Sequence, residues 1–323
     1  MILALKILEK NTHPTPLVSV CVTAYNHAPY IARAVESILA QECDFGVEII
    51  LSDDCSQDST ADICRSYAER YPDRIKFLTS EHNVGMRANY RRCVEAARGQ
   101  YVAMCDGDDW WCDANKLAMQ VAVMEQDGEC GLCYTRSERR QGGKVWLYPS
   151  GEMYCDFDNL LFNNTVENCT ALARRELIVR YYAEVRPEEH PEWLTDDAPM
   201  WIWFAANSKL RTIEIPTAVH LLLPESVSQS GNYQRRIAFC DSLVDISLWF
   251  DNRYSHGKHA SRLYRKRMEV ALWVLSRDGS TAEYLNRWWC DVRRTPRLLL
   301  NLAGYGLLVK RWLRLLSPAR QNQ

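Results

Sequence analysis

The sequence predicts an α/β protein: a doubly wound, mainly parallel sheet with helices on both faces, followed by a C-terminal helical extension. Two observations predict the sheet. Apolar, β-rich runs alternate with amphipathic helical patterns up to about residue 135, and the links between them are short. A third predicts the extension, because the pattern beyond Tyr233 is helical to the end of the chain.

LVSVCVTA (17–24) reads as the first strand and PYIARAVESILAQ (29–41) as an amphipathic helix. VEIILS (47–52) is the second strand, and STADICRSYAERY (59–71) is a helix capped by Asp58 or Ser59. RIKFLTS (74–80) follows as a strand, then MRANYRRCVEAAR (86–98) as a helix stopped by Gly99. QYVAMC (100–105) is the next strand, with a helix near Ala114–Glu125. The middle is less regular. CGLCYT and KVWLYP are strands around a Gly-Gly turn, APMWIWFAA (198–206) is a buried helix, and LRTIEI is a strand that ends at Pro216. There is no internal repeat and no low-complexity tract. The organisation expected is a lead segment (1–15), an α/β domain (16–230) and a basic helical extension (231–323), with the boundary near Ser230–Tyr233.

The composition, 47% apolar and 25% charged in 323 residues, is that of a globular chain and sets disorder aside. The net charge of -2 hides an asymmetry. Asp251–Gln323 carries 15 Lys/Arg against 5 Asp/Glu, and the rest carries 24 against 36. A basic tail suits phosphates or an anionic membrane surface, or is simply a solvated helical face. Thirteen cysteines without a framework fit a reducing cytosol. Cys130 and Cys133 form a lone C-x-x-C, which argues against zinc, and Cys21 and Cys105 lie in apolar runs as buried thiols. MILALKILEK is too short to span a membrane, and no cleavage-site pattern follows it.

In doubly wound sheets, ligands bind at the carboxyl ends of the strands. Three polar clusters follow strands here: Thr23-Ala24-Tyr25-Asn26, Asp53-Asp54 and Asp106-Gly107-Asp108-Asp109. Three carboxylates in four residues repel one another unless a cation or donors lie among them. One Asp would cap the following helix; three exceed that need. Oxygen donors on a tight loop suit Mg²⁺ or Mn²⁺, with phosphate and water completing the shell, and Gly107 permits close backbone approach to a ligand. Asp53 or Asp54 can accept hydrogen bonds from a base or ribose. Asp196-Asp197, before the aromatic run Trp201–Phe204, offers either a helix cap or a general base whose proton affinity is raised by low polarity. Neither G-x-G-x-x-G nor G-x-x-x-x-G-K-[ST] is present, so a metal rather than a glycine loop is expected to hold phosphate.

These residues resemble glycosyltransferase family 2, which has the GT-A fold. The resemblance runs from about Pro16 to Ser230, through VSVCVTAYNHAPYIARAVESILAQ, VEIILSDDCSQDST, HNVGMRANYRRCVEAARGQYVAMCDGDDWW and ANKL, with weaker echoes in NCTALARREL, TDDAPMW and PESVSQS. It implies an inverting transferase, of the hexosyl or N-acetylhexosaminyl class, that uses a nucleoside-diphosphate sugar, often a UDP-sugar. The donor-binding half would be about 16–125 and the acceptor-binding half about 126–230. Thr23, Tyr25, Asn26, Asp53 and Asp54 would line the nucleotide pocket, and Asn83 and Gly85 match an N-x-G loop near the donor. Asp106 and Asp108 match the D-x-D motif, with Asp106 toward ribose, Gly107 between them and Asp108 on the metal. Asp197 matches the expected base, with Asp196 in the position before it. Many members have Y-R-x-H-x-x-S-x-S later on. Here Ser226 and Ser228 remain, but His220, Leu221 and Leu223 stand at the Tyr, Arg and His positions.

The expected acceptor is a hydroxyl of a glycan or lipid-linked saccharide, as in polysaccharide assembly, with no nucleic acid involved. The stretch RLLLNLAGYGLLVKRWLRLL (297–316) could lie in a membrane interface or pack on the domain. That gives a cytoplasmic enzyme with peripheral contact at the inner face of the membrane. Two alternatives have features against them. A sugar-phosphate nucleotidyltransferase needs a Gly/Arg-rich loop after strand one, and a non-catalytic carbohydrate-binding protein should have lost the acidic turn or the base.

Overall fold

A computed structural model describes residues 15–223, 231–295 and 306. The segment before residue 15, the serines at 226 and 228 and the stretch 297–316 apart from residue 306 lie outside these residues, as do the expectations placed on them.

The chain opens with β1 (Val18–Ala24), α1 (Ile31–Leu39), β2 (Val47–Asp53), α2 (Thr60–Arg70), β3 (Ile75–Leu78), α3 (Met86–Ala96) and β4 (Tyr101–Asp106). β1 is buried along its whole length, as a strand covered on both faces must be. Ile31, Ala34, Val35 and Ile38 give α1 a buried stripe at helical spacing. β3, β2, β1 and β4 are neighbours in that order, and every pairing among them is parallel. The cap of α2 resolves to Asp58, whose Oδ1 accepts the Thr60 amide at 2.9 Å, while Ser59 makes no side-chain cap bond.

Then come β5 (Trp110–Trp111), α4 (Lys116–Gln126), β6 (Cys130–Gln141), β7 (Lys144–Tyr148), the short α5 (Phe157–Leu160), β8 (Ala171–Arg174), α6 (Arg175–Val185), α7 (Asp197–Asn207) and β9 (Lys209–Leu221). β8 pairs antiparallel with both β4 and β6, and β6 pairs parallel with β9. Among the described residues the sheet has nine strands, ordered β3-β2-β1-β4-β8-β6-β9-β5, with β7 on β6. Gly142 and Gly143, at φ 52 and 81, make the turn between β6 and β7.

β9 corrects one expectation. It does not stop at Pro216 but runs through it to Leu221, and the register with β6 shifts on either side of the Arg136–Pro216 pair. Proline cannot donate to the ladder, so the strand passes it as an irregularity rather than a regular rung.

The described chain forms two compact units. One runs through His190 and includes Asp196–Leu222; the other comprises Pro191–Thr195 and continues from Leu223. The second contains α8 (Tyr233–Ser255), α9 (Ala260–Asp278) and α10 (Thr281–Arg294) around Met268, Leu272, Leu275, Tyr284 and Val292. Ser280 and Glu283 form a capping box at the start of α10. No described helix is long and apolar enough to cross a membrane. All thirteen cysteines are free thiols, and Cys21 and Cys105 are buried.

Candidate active site at the ends of β1, β2 and β4

Strand register assembles the three polar clusters. Thr23 lies opposite Asp106 and Ala24 opposite Asp53, so residues 83 positions apart in sequence become neighbours at one sheet edge. Thr23 Oγ1 donates to Asp106 Oδ1 at 2.9 Å, and Asn168 Nδ2 stands 3.5 Å from Asp106 Oδ2. Burial, and then the charge of Asp108, push the Asp106 carboxyl above its ordinary range; the Thr23 bond opposes them.

The members of the acidic turn differ in what they face. Asp109 is 3% exposed, and its Oδ1 accepts the Leu221 amide at 2.9 Å. It therefore ties the turn to the end of β9, and burial holds its carboxyl well above the usual range. Asp108 lies 4.0 Å from His27 Nδ1, a buried nitrogen with no hydrogen-bond partner. Gly107 is crowded on the side where a side chain would stand. A Cβ there would stand 2.8 Å from His27 Nδ1 and 3.1 Å from Ala24 and Ile31. The protein's own entry into α1 fills that side of the turn.

The residues expected to contact the nucleotide spend most of their polar atoms on the loops themselves. Asp53 accepts the amide and the hydroxyl of Ser56. Asp54 accepts the Val84 amide at 2.7 Å and the Gly85 amide at 2.9 Å, one on each oxygen, and its carbonyl takes Asn83 Nδ2 at 3.2 Å. Asn83 Oδ1 also accepts the Gly85 amide at 3.1 Å. Gly85, at φ 86, makes the turn into α3. Asn26, at φ 57, accepts the Gln57 amide at 2.7 Å and gives its own amide to Ser56 Oγ at 2.9 Å. Asn26, Asp53, Asp54, Asn83 and Gly85 are thus brought together as one hydrogen-bonded rim, and Thr23 joins Asp106 instead. Tyr25, 43% exposed, projects from it.

Asp196 and Asp197 separate by partner. Arg87 of α3 grips Asp196 and reaches the Pro187 carbonyl as well. Asp197 opens α7, and its Oδ1 accepts the Ala198 amide at 2.7 Å. Its charge is felt at the Tyr148 phenol, which also feels Arg139 and Glu167.

That last group was not found in the sequence. Glu167 is 6% exposed, and its Oε1 takes Arg139 Nε and His220 Nδ1, each at 2.6 Å, while Ser137 bonds the other oxygen. Burial alone would lower the His220 imidazolium. Asp109 and Glu167 outweigh it and raise the group from 6.5 to about 10. The only sequence signal was an isolated acid in NNTVENCT; its partners come from β6 and β9.

Among the described residues no group of three His, Cys, Asp or Glu side chains converges to hold a metal alone. The donor chemistry nevertheless fits a hard cation. Asp106 and Asp108 repel each other, and two carboxylates with diphosphate oxygens and water are an ordinary set for Mg²⁺ or Mn²⁺.

Residues 19–181 match the sequence model of Glycosyl transferase family 2. Rv1520 of Mycobacterium tuberculosis is 35% identical over 162 residues, 49% of this chain and 47% of that protein. The glycosyltransferase GlyG of Streptococcus pneumoniae is 28% identical over 139 residues, 43% of this chain and 46% of GlyG. The chain spans about half the length of these curated relatives. In fold it is similar to S. aureus TarS 1-349, solved with UDP-GlcNAc (TM-score 0.54, 16% identity, 85% of this chain and 80% of that one). It is also similar to the mannosyltransferase PcManGT of Pyrobaculum calidifontis, solved with GDP-Man and Mn²⁺ (TM-score 0.53, 19% identity, 96% of this chain and 90% of that one).

Proposed function

The chain belongs to glycosyltransferase family 2, and from that premise we propose that it moves a sugar from a nucleoside-diphosphate donor to a hydroxyl of a glycan or lipid-linked saccharide, with inversion. The donor is read as a UDP-sugar of the hexosyl or N-acetylhexosaminyl class. The observation that carries this reading is the register that sets Thr23 against Asp106 and Ala24 against Asp53, so that one edge offers a nucleotide rim and an acidic turn together.

In this reading Asp106 and Asp108 hold a divalent Mn²⁺ or Mg²⁺. When bound, that ion neutralises charge on the departing diphosphate. Tyr25 and the 83–85 loop flank the base and ribose, with Asp54 keeping the loop in place. Asp197 takes the proton of the acceptor hydroxyl as it attacks the anomeric carbon. Asp196, already paired with Arg87, positions the start of α7. Direct displacement needs donor and acceptor in line, so much of the rate comes from positioning. The work is placed in the cytoplasm, at the inner face of the membrane.

The deciding experiment is a thermal-shift screen of UDP-, GDP- and TDP-sugars with and without Mn²⁺, because ligands that bind only the native state raise its Tm. The hit is then followed by NMR for the anomer transferred. A Mn²⁺-dependent shift and an inverted product are expected. No shift with any nucleotide sugar, or a retained anomer, would overturn the reading.

A further inference from the structure

We propose that Arg139 and His220, set side by side on the buried carboxylate of Glu167, form a subsite for an acceptor saccharide that carries a carboxylate or a phosphate. This rests on the transferase reading and narrows its acceptor to an acidic sugar.

Arg139 of β6 and His220 of β9 are neighbours in register across the parallel strand pair. Like charges so placed repel, and Arg139 works against the charge on His220. Both cations nevertheless meet one carboxylate oxygen: Glu167 Oε1 takes Arg139 Nε and His220 Nδ1, each at 2.6 Å. One cation would balance the acid and tie residue 167 to the sheet. The second leaves positive charge in excess. Among the described residues neither cation pairs with another carboxylate except the more distant Asp108 and Asp109 turn. Asp109 supports the charge of His220 from there, but its own carboxyl is buried, raised and bonded to the Leu221 amide.

The acid is closed off and the cations are not. The side chain of Glu167 is 6% exposed, against 24% for Arg139 and 31% for His220. Beyond Nε the guanidinium has two NH₂ groups, and beyond Nδ1 the imidazolium has one N–H. Such a set matches the oxygens of a carboxylate or phosphate. The pair also reaches both parts of the proposed chemistry. The charge of His220 is felt at Asp106. The Arg139 guanidinium lies 3.3 Å from the ring centroid of Tyr148, whose phenol feels Asp197. The diphosphate belongs to the metal at Asp106 and Asp108, so the anion expected here comes with the molecule that Asp197 deprotonates. A neutral hydroxyl would leave the excess charge unbalanced.

The test titrates the full chain with D-glucuronate, glucose 6-phosphate and neutral glucose by saturation-transfer NMR, with and without UDP and Mg²⁺. Wild type is expected to bind at least one of the acids about tenfold more tightly than glucose. Which acid binds tells a carboxylate from a phosphate. His220→Gln keeps a donor for Glu167 and removes the charge, as Arg139→Gln does on β6. Each should weaken the acid about tenfold or more and leave glucose and UDP as in wild type, which also shows that the fold is intact. Arg139→Lys, which keeps the charge, should keep most of the preference. If Arg139→Gln does not fold, His220→Gln and Arg139→Lys decide. A preference for the acid without nucleotide supports the subsite even where no nucleotide binds, so its failure and that of the transferase reading are told apart. The proposal is overturned if wild type binds the acids no better than glucose, or if the glutamine variants lower Tm and keep the preference, as a purely structural trio would. It is overturned equally if they weaken UDP as much as the acid, since the cations would then serve the donor's diphosphate.

Discussion

Glu167 and His220 meet at 2.6 Å, on the same carboxylate oxygen that Arg139 grips. The imidazole is raised from 6.5 to about 10, so its contribution to stability is fully present below pH 6.5 and is lost as pH rises through 10. Glu167 is lowered from 4.5, so its contribution is present above that value and is lost as pH falls. Glu167→Gln should therefore cost most between about pH 4.5 and 6.5, on the order of 3 kcal/mol, because it leaves two partly buried cations without their acid. Urea unfolding at several pH values measures this, and a penalty independent of pH would be the wrong outcome.

Asp54 is the anchor of the 83–85 loop. In Asp54→Asn one amide oxygen replaces two acceptors, and its NH₂ confronts a backbone N–H. A loss of about 1–3 kcal/mol is expected, with weaker nucleotide binding by calorimetry. Unaltered affinity would mean that the loop does not flank the donor.

Gly107→Ala places a methyl 2.8 Å from His27 Nδ1. Overpacking of this kind costs about 1–3 kcal/mol. The penalty should shrink in a His27→Ala background, since residues in contact do not add independently. Equal penalties in both backgrounds would show that the ring is not the obstacle.

The paired acids at the start of α7 should part company in kinetics. Asp197→Asn should retain donor affinity and lose about 10²–10⁴-fold in kcat, the usual worth of a general base. Asp196→Asn should keep most turnover and lower Tm instead, since it weakens the grip of Arg87. Reversed effects would reassign the base.

Asp108→Ala should abolish Mn²⁺-dependent nucleotide binding, as should chelation of wild type by EDTA. Calorimetry with UDP and Mn²⁺ reads both. Tight metal-independent binding would remove the acidic turn from the site.

The parallel half of the fold was legible because its strands and helices bury their own periodic stripes, as Ile31, Ala34, Val35 and Ile38 do in α1. Strand ends, and hence the three polar clusters, followed from that. What each side chain bonds to was not legible. Asp53 and Asp54 read alike in sequence, yet one closes its own turn on Ser56 and the other holds a loop 30 residues away. Glu167 was missed for the same reason: its partners Ser137, Arg139 and His220 arrive from β6 and β9, by pairings no local pattern encodes.

The irregular passage of β9 past Pro216 decides which lengths of chain this protein can tolerate. Arg139 lies across from His220 only because β9 advances five positions, from Ile213 to Ala218, while β6 advances two, from Thr135 to Ser137. Deleting one residue there would rotate His220 to the opposite side of the sheet and leave Glu167 facing its neighbour. The Gly142–Gly143 turn, by contrast, has open space around both residues and can accept insertions. Natural or engineered length variants should therefore be plentiful at the hairpin tip and rare between 213 and 218.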